Sequence, residues 1–185
     1  MLTVSDLTYK IGARTILDDS NITIMDNWKV GVVGKNGAGK TTLFKLISGD
    51  LTPDGGTIKK NSNKRLGIVR QDLPEVETPL IDIVLESNIE LTNLWKQTET
   101  EKNPEKIAGI YERLQDLDAY SAPSKASRLL TGLGFTENQI KEPFSSFSGG
   151  WRMRVALAAA LFNEPEILLL DESYTILFKR KRHNP

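Results

Sequence analysis

The chain contains the octapeptide Gly34-Lys35-Asn36-Gly37-Ala38-Gly39-Lys40-Thr41. It fits the pattern G-x-x-x-x-G-K-[ST], in which glycines let the backbone curl tightly around an anion. The backbone N–H groups of such a loop point inward, and the following helix adds the positive end of its dipole. Lys40 then reaches the outer phosphates of a nucleotide, and the Thr41 hydroxyl is a hard oxygen ligand for Mg²⁺. The octapeptide therefore predicts a phosphate-binding loop (P-loop).

The residues on either side of the octapeptide support this interpretation. Val30-Gly31-Val32-Val33 comes immediately before it and predicts a short buried strand. Residues 42–49 follow it, with apolar side chains at helical spacing and Gly49 as a C-terminal stop. The order strand, loop, helix favours a true P-loop over the alternative, a glycine-rich turn that happens to contain a lysine.

Composition sets limits on the class of protein. The 185 residues predict one domain, with 24 basic and 24 acidic residues and a formal net charge of zero. The balanced charge does not suggest a nucleic-acid or membrane partner. With no cysteine, disulfides, thiolate metal sites and a cysteine nucleophile are excluded. The longest apolar run, residues 155–162, is too short to span a bilayer, and no signal-peptide layout begins the chain. We therefore expect a soluble, cytoplasmic protein with no membrane domain in this chain.

Strands are predicted on both sides of the P-loop. Residues 2–9 and 16–25 predict two strands before it, and residues 57–60 and 65–69 predict two more strands after a Pro-Asp-Gly-Gly turn. Tyr9 ends the first strand and leaves two interpretations open. Its ring can stack on an adenine base, or it is an ordinary strand aromatic. Gln71 follows the last strand and by itself suggests only a polar loop residue.

A helical segment is predicted over about residues 79–147. Residues 83–95 and 107–117 carry apolar side chains at helical spacing, and Asn103-Pro104 separates them, which predicts an αα-hairpin. Between Glu86 and Ser121 there are eight acidic and four basic residues, a net charge of −4. An acidic hairpin does not suit binding to a phosphate backbone.

A second glycine-rich helix start follows, at Ser148-Gly149-Gly150. Ser148 suits the N-cap of an alanine- and leucine-rich helix, and the two glycines let another body approach the first turn. This is a second helix N-terminus suited to an anion. One nucleotide hardly needs two such sites in a small domain, unless the second serves a neighbouring chain.

Two carboxylates close the last apolar run of the chain. Residues 167–170 predict a buried strand, and Asp171-Glu172 follows it directly. In nucleotide hydrolysis, Asp171 would hold Mg²⁺ through its water shell, and Glu172 would orient or deprotonate the attacking water. Without the P-loop, a structural strand that ends in solvated acids would explain the pattern as well as a role in hydrolysis.

Taken together, these motifs resemble the ATP-binding cassette (ABC) ATPases. The P-loop corresponds to that family's Walker A motif, Gln71 to the Q-loop, residues 148–150 to the signature, and residues 171–172 to the end of Walker B. Tyr9 matches the family's A-loop aromatic. The sequence of residues 147–158 resembles that of the ABC-F subfamily. The members of this subfamily are soluble proteins with two cassettes, and many of them act on ribosomes. The acidic hairpin lies where that subfamily carries its arm insertion.

The resemblance implies an α/β fold, the P-loop NTPase type of ABC nucleotide-binding domain. It has an N-terminal antiparallel β subdomain and a helical subdomain, here as a partial domain over residues 1–172. The implied ligands are ATP and Mg²⁺. The implied nucleotide-binding residues are Tyr9, Gly34, Asn36, Gly37, Ala38, Gly39, Lys40, Thr41, Thr42, Ser148, Gly149 and Gly150. The implied metal residues are Thr41, Gln71 and Asp171, and the implied catalytic residues are Glu172, Lys40 and Gln71.

The resemblance also implies partners. Two cassettes face each other in this family, so Ser148 and Gly150 would touch a nucleotide held by a second cassette. The ribosome is a further implied partner. Two alternatives stay open: the ATPase subunit of a membrane transporter, and a non-catalytic truncated module. A GTPase is excluded because residues 63–66 lack the acid of an Asn-Lys-x-Asp motif.

The pattern departs from the family after Glu172. The family would continue Pro-Thr-Asn-His-Leu-Asp, whereas residues 173–185 of this chain differ from that pattern. They include four consecutive basic residues and are interpreted as an aberrant basic tail. The strand with the family's switch histidine is missing, and His183 is not assigned that role. We therefore expect a core sheet that is incomplete after Walker B, an unstable isolated chain, and nucleotide binding with little turnover.

Overall fold

A computed structural model of the chain describes residues 1–60, 65–69 and 76–171. The chain divides into two compact units. The first comprises Met1–Ile68 with the segment that starts at Leu169, and the second comprises Val69–Leu168.

The first unit is built on an antiparallel sheet. Its elements before the boundary are β1 (Leu2–Ile11), β2 (Arg14–Ile24), α1 (Lys40–Ser48) and β3 (Gly55–Lys60). The strand order is β2-β1-β3, so that Val4 of β1 pairs with Ile22 on one side and Ile58 on the other. The predicted N-terminal antiparallel β subdomain is confirmed.

Apolar residues of β1 create the core of this unit. Leu2, Val4 and Leu7 are buried, and Val4 and Leu7 pack with Leu46 of α1. Partly buried side chains surround this cluster: Tyr9, Leu17, Leu43, Leu51 and Ile58. The hairpin between β1 and β2 turns at Gly12, whose φ of 59° is left-handed and suits glycine. Burial of these side chains places the start of α1 beside the hairpin.

The predicted buried strand before the P-loop is wrong. Residues 30–33 form no strand, and Val30, Val32 and Val33 are exposed, Val33 to 93%. A strand needs a neighbour that satisfies its backbone N–H and C=O groups. Among the described residues, the sheets are β2-β1-β3 and a separate pair of strands, and neither includes this segment.

The separate pair consists of β4 (Leu66–Val69) and β5 (Ile167–Leu170). Both strands were predicted. However, β5 is only partly buried: Leu169 is buried, whereas Leu170 is exposed. Since β4 is its only partner among the described strands, β5 lacks the cover that a central strand receives.

The second unit is helical, as predicted for residues 79–147. Its helices are α2 (Leu80–Glu86), α3 (Ile89–Thr100), α4 (Pro104–Asp116), α5 (Ala122–Gly132) and α6 (Gly149–Phe162). One apolar cluster fills its centre, with the fully buried Leu80, Val84, Leu114, Leu130 and Val155 among its members.

The αα-hairpin is confirmed, although its first helix differs from the prediction. The single helix expected over residues 83–95 is two helices, because Asn88 caps a new one by accepting the Leu91 N–H at 3.0 Å. α3 and α4 are joined across the hairpin by Arg113 Nε, which donates to Glu90 at 2.7 Å. The α4 apolar stripe faces the core through Ile110 and Leu114.

Candidate nucleotide-binding site

The P-loop residues form a tight turn that ends at the start of α1. Gly37 and Gly39 have φ values of 77° and 95°, in the left-handed region that favours glycine. A Cβ on Gly39 would also lie 2.6 Å from Cγ2 of Ile16. Leu43 N–H donates to Gly39 O at 2.8 Å and closes the first helical turn at the predicted place. The loop therefore needs glycine at these positions for two separate reasons, conformation and space.

The Lys40 ammonium lies over the loop that it belongs to. Nζ donates to the carbonyl oxygens of Gly34 at 2.8 Å and Lys35 at 3.1 Å. Ala38 N–H also donates to Lys35 O at 3.1 Å, which holds the loop closed. A positive charge is thus placed at the N-terminus of α1, where the helix dipole also favours an anion.

Thr41 and Asp171 meet although 130 positions separate them in the sequence. Thr41 Oγ1 donates to Asp171 Oδ1 at 3.2 Å, because the start of α1 and the end of β5 lie together in the first unit. Hydroxyl and carboxylate oxygens are ligands that Mg²⁺ prefers, and this ion usually takes only one or two protein ligands beside phosphates and waters. The pair fits Mg²⁺, which would neutralise phosphate charge when bound with a nucleotide.

A cavity of about 330 Å³ adjoins the P-loop, at the lower end of the size range for ligand pockets. The P-loop side of its lining consists of Asn36, Gly37, Gly39, Lys40, Thr41 and Thr42. The other side comes from the β1–β2 hairpin and consists of Ile11, Arg14 and Ile16. Sequence reasoning missed these three residues, since nothing in their local pattern shows that the hairpin tip meets a loop more than twenty positions away.

Tyr9, a predicted nucleotide contact, and Arg14, which was not predicted, take different positions relative to the cavity. Tyr9 is not among the cavity-lining residues and packs against the cluster of Val4, Leu7 and Leu46. Arg14, by contrast, lines the cavity, and its Nη2 lies 3.5 Å from Gly37 O. The polar group that the hairpin presents to the cavity is therefore the Arg14 guanidinium.

The predicted signature residues lie in the second unit and begin α6. Ser148 is the N-cap, as predicted, and its carbonyl oxygen accepts the N–H groups of Trp151 and Arg152, both at 2.9 Å. Its hydroxyl makes no capping bond. Ser148, Gly149 and Gly150 are exposed, and a Cβ on either glycine would meet nothing within 4 Å. The first turn of α6 is thus open to approach.

Side chains just after the signature tie this turn to the rest of its unit. Arg154 stacks on the Trp151 ring with 4.4 Å between guanidinium carbon and ring centroid, and donates to Leu133 O at 3.0 Å. Trp151 packs edge-on against Phe135 at 4.9 Å. Arg152 Nη2 donates to Ser145 O at 2.8 Å. These contacts orient the helix start, and the predicted site residues did not include them.

Two predicted catalytic residues, Gln71 and Glu172, lie outside the described residues. Of the predicted metal and catalytic residues, the structure describes Lys40, Thr41 and Asp171.

Comparison with known proteins identifies the family. The sequence profile of the family described as ABC transporter matches residues 17–175. The chain belongs to this ABC transporter family. Both the P-loop and the start of α6 fall within the matched range, as does Asp171. No helix of the described residues has the length and apolar character needed to cross a membrane.

Similar proteins include an ATP-binding protein and a member of ATP-binding cassette sub-family F. It is 41% identical over 175 residues to the probable ATP-binding protein YheS of Haemophilus influenzae, covering 93% of this chain and 27% of that protein. It is 34% identical over 186 residues to ATP-binding cassette sub-family F member 3 of Homo sapiens, covering 94% and 25%. The chain thus spans about a quarter of the length of these relatives.

Solved structures confirm the ABC nucleotide-binding fold. A metal-chelate type ABC transporter in an inward-facing conformation aligns with a TM-score of 0.67 at 25% identity, covering 91% of this chain and 58% of that one. A nucleotide-free ATP-binding cassette aligns with a TM-score of 0.65 at 21% identity, covering 92% and 68%. The predicted α/β fold class is therefore confirmed.

Proposed function

We propose that this chain binds ATP with Mg²⁺ through its P-loop. The observation that carries the proposal is the joint placement of Lys40, Thr41 and Asp171 around one loop. Lys40 would contact the outer phosphates, while Thr41 and Asp171 would hold the metal, directly or through water. The ABC family membership and the cavity beside the loop support this proposal.

Hydrolysis is proposed only for a complete pair of cassettes. The open first turn of α6 supports a role for Ser148 and Gly150 toward ATP held by a second cassette. One solved structure with a similar fold is a dimeric ATP-binding cassette with ADP and Pi bound. Gln71 and Glu172 would act on the attacking water. As the water oxygen bonds to the terminal phosphorus, the bond from that phosphorus to the bridging oxygen would break, ADP would leave, and Glu172 would take the proton of the water.

The wider role that we propose is that of an ABC-F-type, translation-associated ATPase in the cytoplasm. The sub-family F relative supports it, together with the acidic αα-hairpin over residues 86–121. Ribosome co-sedimentation that depends on this hairpin would test the role. Recovery of the chain with a membrane permease instead would favour a transporter subunit.

Titration with a fluorescent ATP analogue tests the binding proposal. Because Lys40 supplies a charge-assisted contact, replacing it with methionine should weaken binding about 10–100-fold. Lys45→Met on the same helix removes the same charge outside the loop and serves as the matched control. Equal affinities of wild type and Lys40→Met would refute phosphate binding by this loop. Equal, negligible ATP turnover by wild type and Glu172→Gln would show that the chain alone does not catalyse hydrolysis.

A further inference from the structure

A groove of about 390 Å³ lies in the second unit, formed by α2, α3 and residues 119–123. Its floor is apolar and includes the buried Leu91, Ala119 and Ala122, with the half-buried Leu85 beside them. Every lining residue belongs to the helical unit, so the groove is distinct from the P-loop cavity.

An exposed aromatic pair forms one wall of this groove. Trp95 and Tyr120 pack edge to face with ring centroids 5.7 Å apart, and they remain 37% and 64% exposed. The faces of such rings carry negative electrostatic potential and attract cations, guanidinium groups above all. Large aromatic side chains left open beside an apolar floor are typical of protein–protein interfaces.

Acidic side chains complete the rim. Glu86 and Glu99 line the groove, and neither forms an ion pair within the described part of the chain. Lys96 is the single basic residue of the lining, which leaves an excess of negative charge. Residues 86–121 as a whole carry a net charge of −4. This charge repels a phosphate backbone and attracts a cationic side chain.

We propose that this groove docks a partner protein through a short segment in which an arginine adjoins an aliphatic residue. The aliphatic side chain covers Leu85 and Leu91, and the guanidinium lies against Trp95 and Tyr120 within reach of Glu86 or Glu99. Arginine fits better than lysine because its planar group stacks on rings and pairs with carboxylates at the same time. The proposal does not depend on nucleotide binding, since no P-loop residue takes part.

The test uses the full chain and an acetylated, amidated octapeptide with one central Leu-Arg pair flanked by glycine and serine. Binding is followed through the indole N–H signal of Trp95 in ¹H–¹⁵N spectra, assigned with Trp95→Phe. We expect saturable binding in the millimolar range or tighter. The same peptide with citrulline in place of arginine keeps the shape and loses the charge, and should bind about tenfold more weakly.

Surface variants of the protein separate charge from packing. Glu86→Gln together with Glu99→Gln should weaken binding about fivefold or more, and Lys96→Ala should strengthen it. Glu112→Gln removes an exposed acid from α4 outside the groove and should leave affinity unchanged. Thermal melting that matches wild type shows that each variant is folded.

Three results would overturn the proposal. They are equal affinity for the arginine and citrulline peptides, weaker binding by Lys96→Ala, and no saturable shift of the Trp95 signal. Tighter binding of a single-stranded RNA than of the peptide to the same residues would assign the groove to nucleic acid instead. Since Lys40→Met should not alter peptide binding, failure of the nucleotide proposal would leave this result unaffected.

Discussion

Replacing Gly39 with alanine should damage the P-loop in two separable ways. The left-handed φ of 95° costs an alanine about 1–2 kcal/mol. The new Cβ would also stand 2.6 Å from Cγ2 of Ile16, a β-branched residue of β2 that cannot swing away by changing a single outer torsion. Such overpacking costs about 1–3 kcal/mol more. The expected total is about 2–5 kcal/mol of lost stability, with weaker ATP binding because the loop must shift.

Gly37→Ala is the matched control, because it has a φ of 77° but no atom within 4 Å of the added Cβ. It should therefore lose only about 1–2 kcal/mol. Ile16→Ala removes the atom that clashes, so the double variant with Gly39→Ala should recover about 1–3 kcal/mol of coupling energy. Urea denaturation measures stability, and titration with a fluorescent ATP analogue measures binding. The close approach of β2 to the loop is wrong if Gly39→Ala and Gly37→Ala lose the same free energy of unfolding and Ile16→Ala does not restore the stability of Gly39→Ala.

Three further predictions address the site and the hairpin. Arg14→Ala should weaken the binding of ATP several-fold but leave the affinity for inorganic tripolyphosphate unchanged, since Arg14 lies on the hairpin side of the cavity. An equal loss of affinity for both ligands would show that Arg14 contacts the phosphates instead. Asp171→Asn should remove most of the Mg²⁺ dependence of ATP binding, measured by titration with and without the metal, and unchanged dependence would exclude Asp171 from the metal site. The backbone N–H groups of Asn103 and Lys102 lower the pKa of Glu101 below its usual 4.5. The stabilising effect of the Glu101 carboxylate on the hairpin should thus be complete above pH 4.5 and fade as the pH falls through the lowered pKa. A pKa of 4.5 or above, measured by NMR titration of the Glu101 carboxyl carbon, would contradict this.

The local features of the site were predictable because each depends on neighbours in the sequence. The glycines at 37 and 39, the start of α1 at Lys40 and the N-cap at Ser148 follow from backbone conformation and capping rules that act over a few residues. The helices of the acidic hairpin follow from apolar periodicity, although the break at Asn88 does not, because a helix interior and a capped junction share the same apolar spacing there.

Features that depend on distant partners were less predictable. Residues 30–33 carry the composition of a buried strand, yet a strand exists only where another strand satisfies its backbone groups, and no described strand does so here. Arg14 enters the cavity only because the β1–β2 hairpin folds back onto the P-loop. Tyr9 instead joins the packing around Leu7, which composition alone could not decide.

The sequence alone predicts a P-loop, a pair of oxygens suited to a metal ion and a second glycine-rich helix start. These are properties of short segments, so local backbone physics is enough to predict them. Which of these segments come into contact depends on the fold of the whole chain. It joins Thr41 to Asp171 across 130 positions, and brings Trp95 and Tyr120 together over an apolar groove. The physical reason is that burial of apolar surface is non-directional, so the pairing of distant segments is set by the packing of the whole chain and not by any one segment.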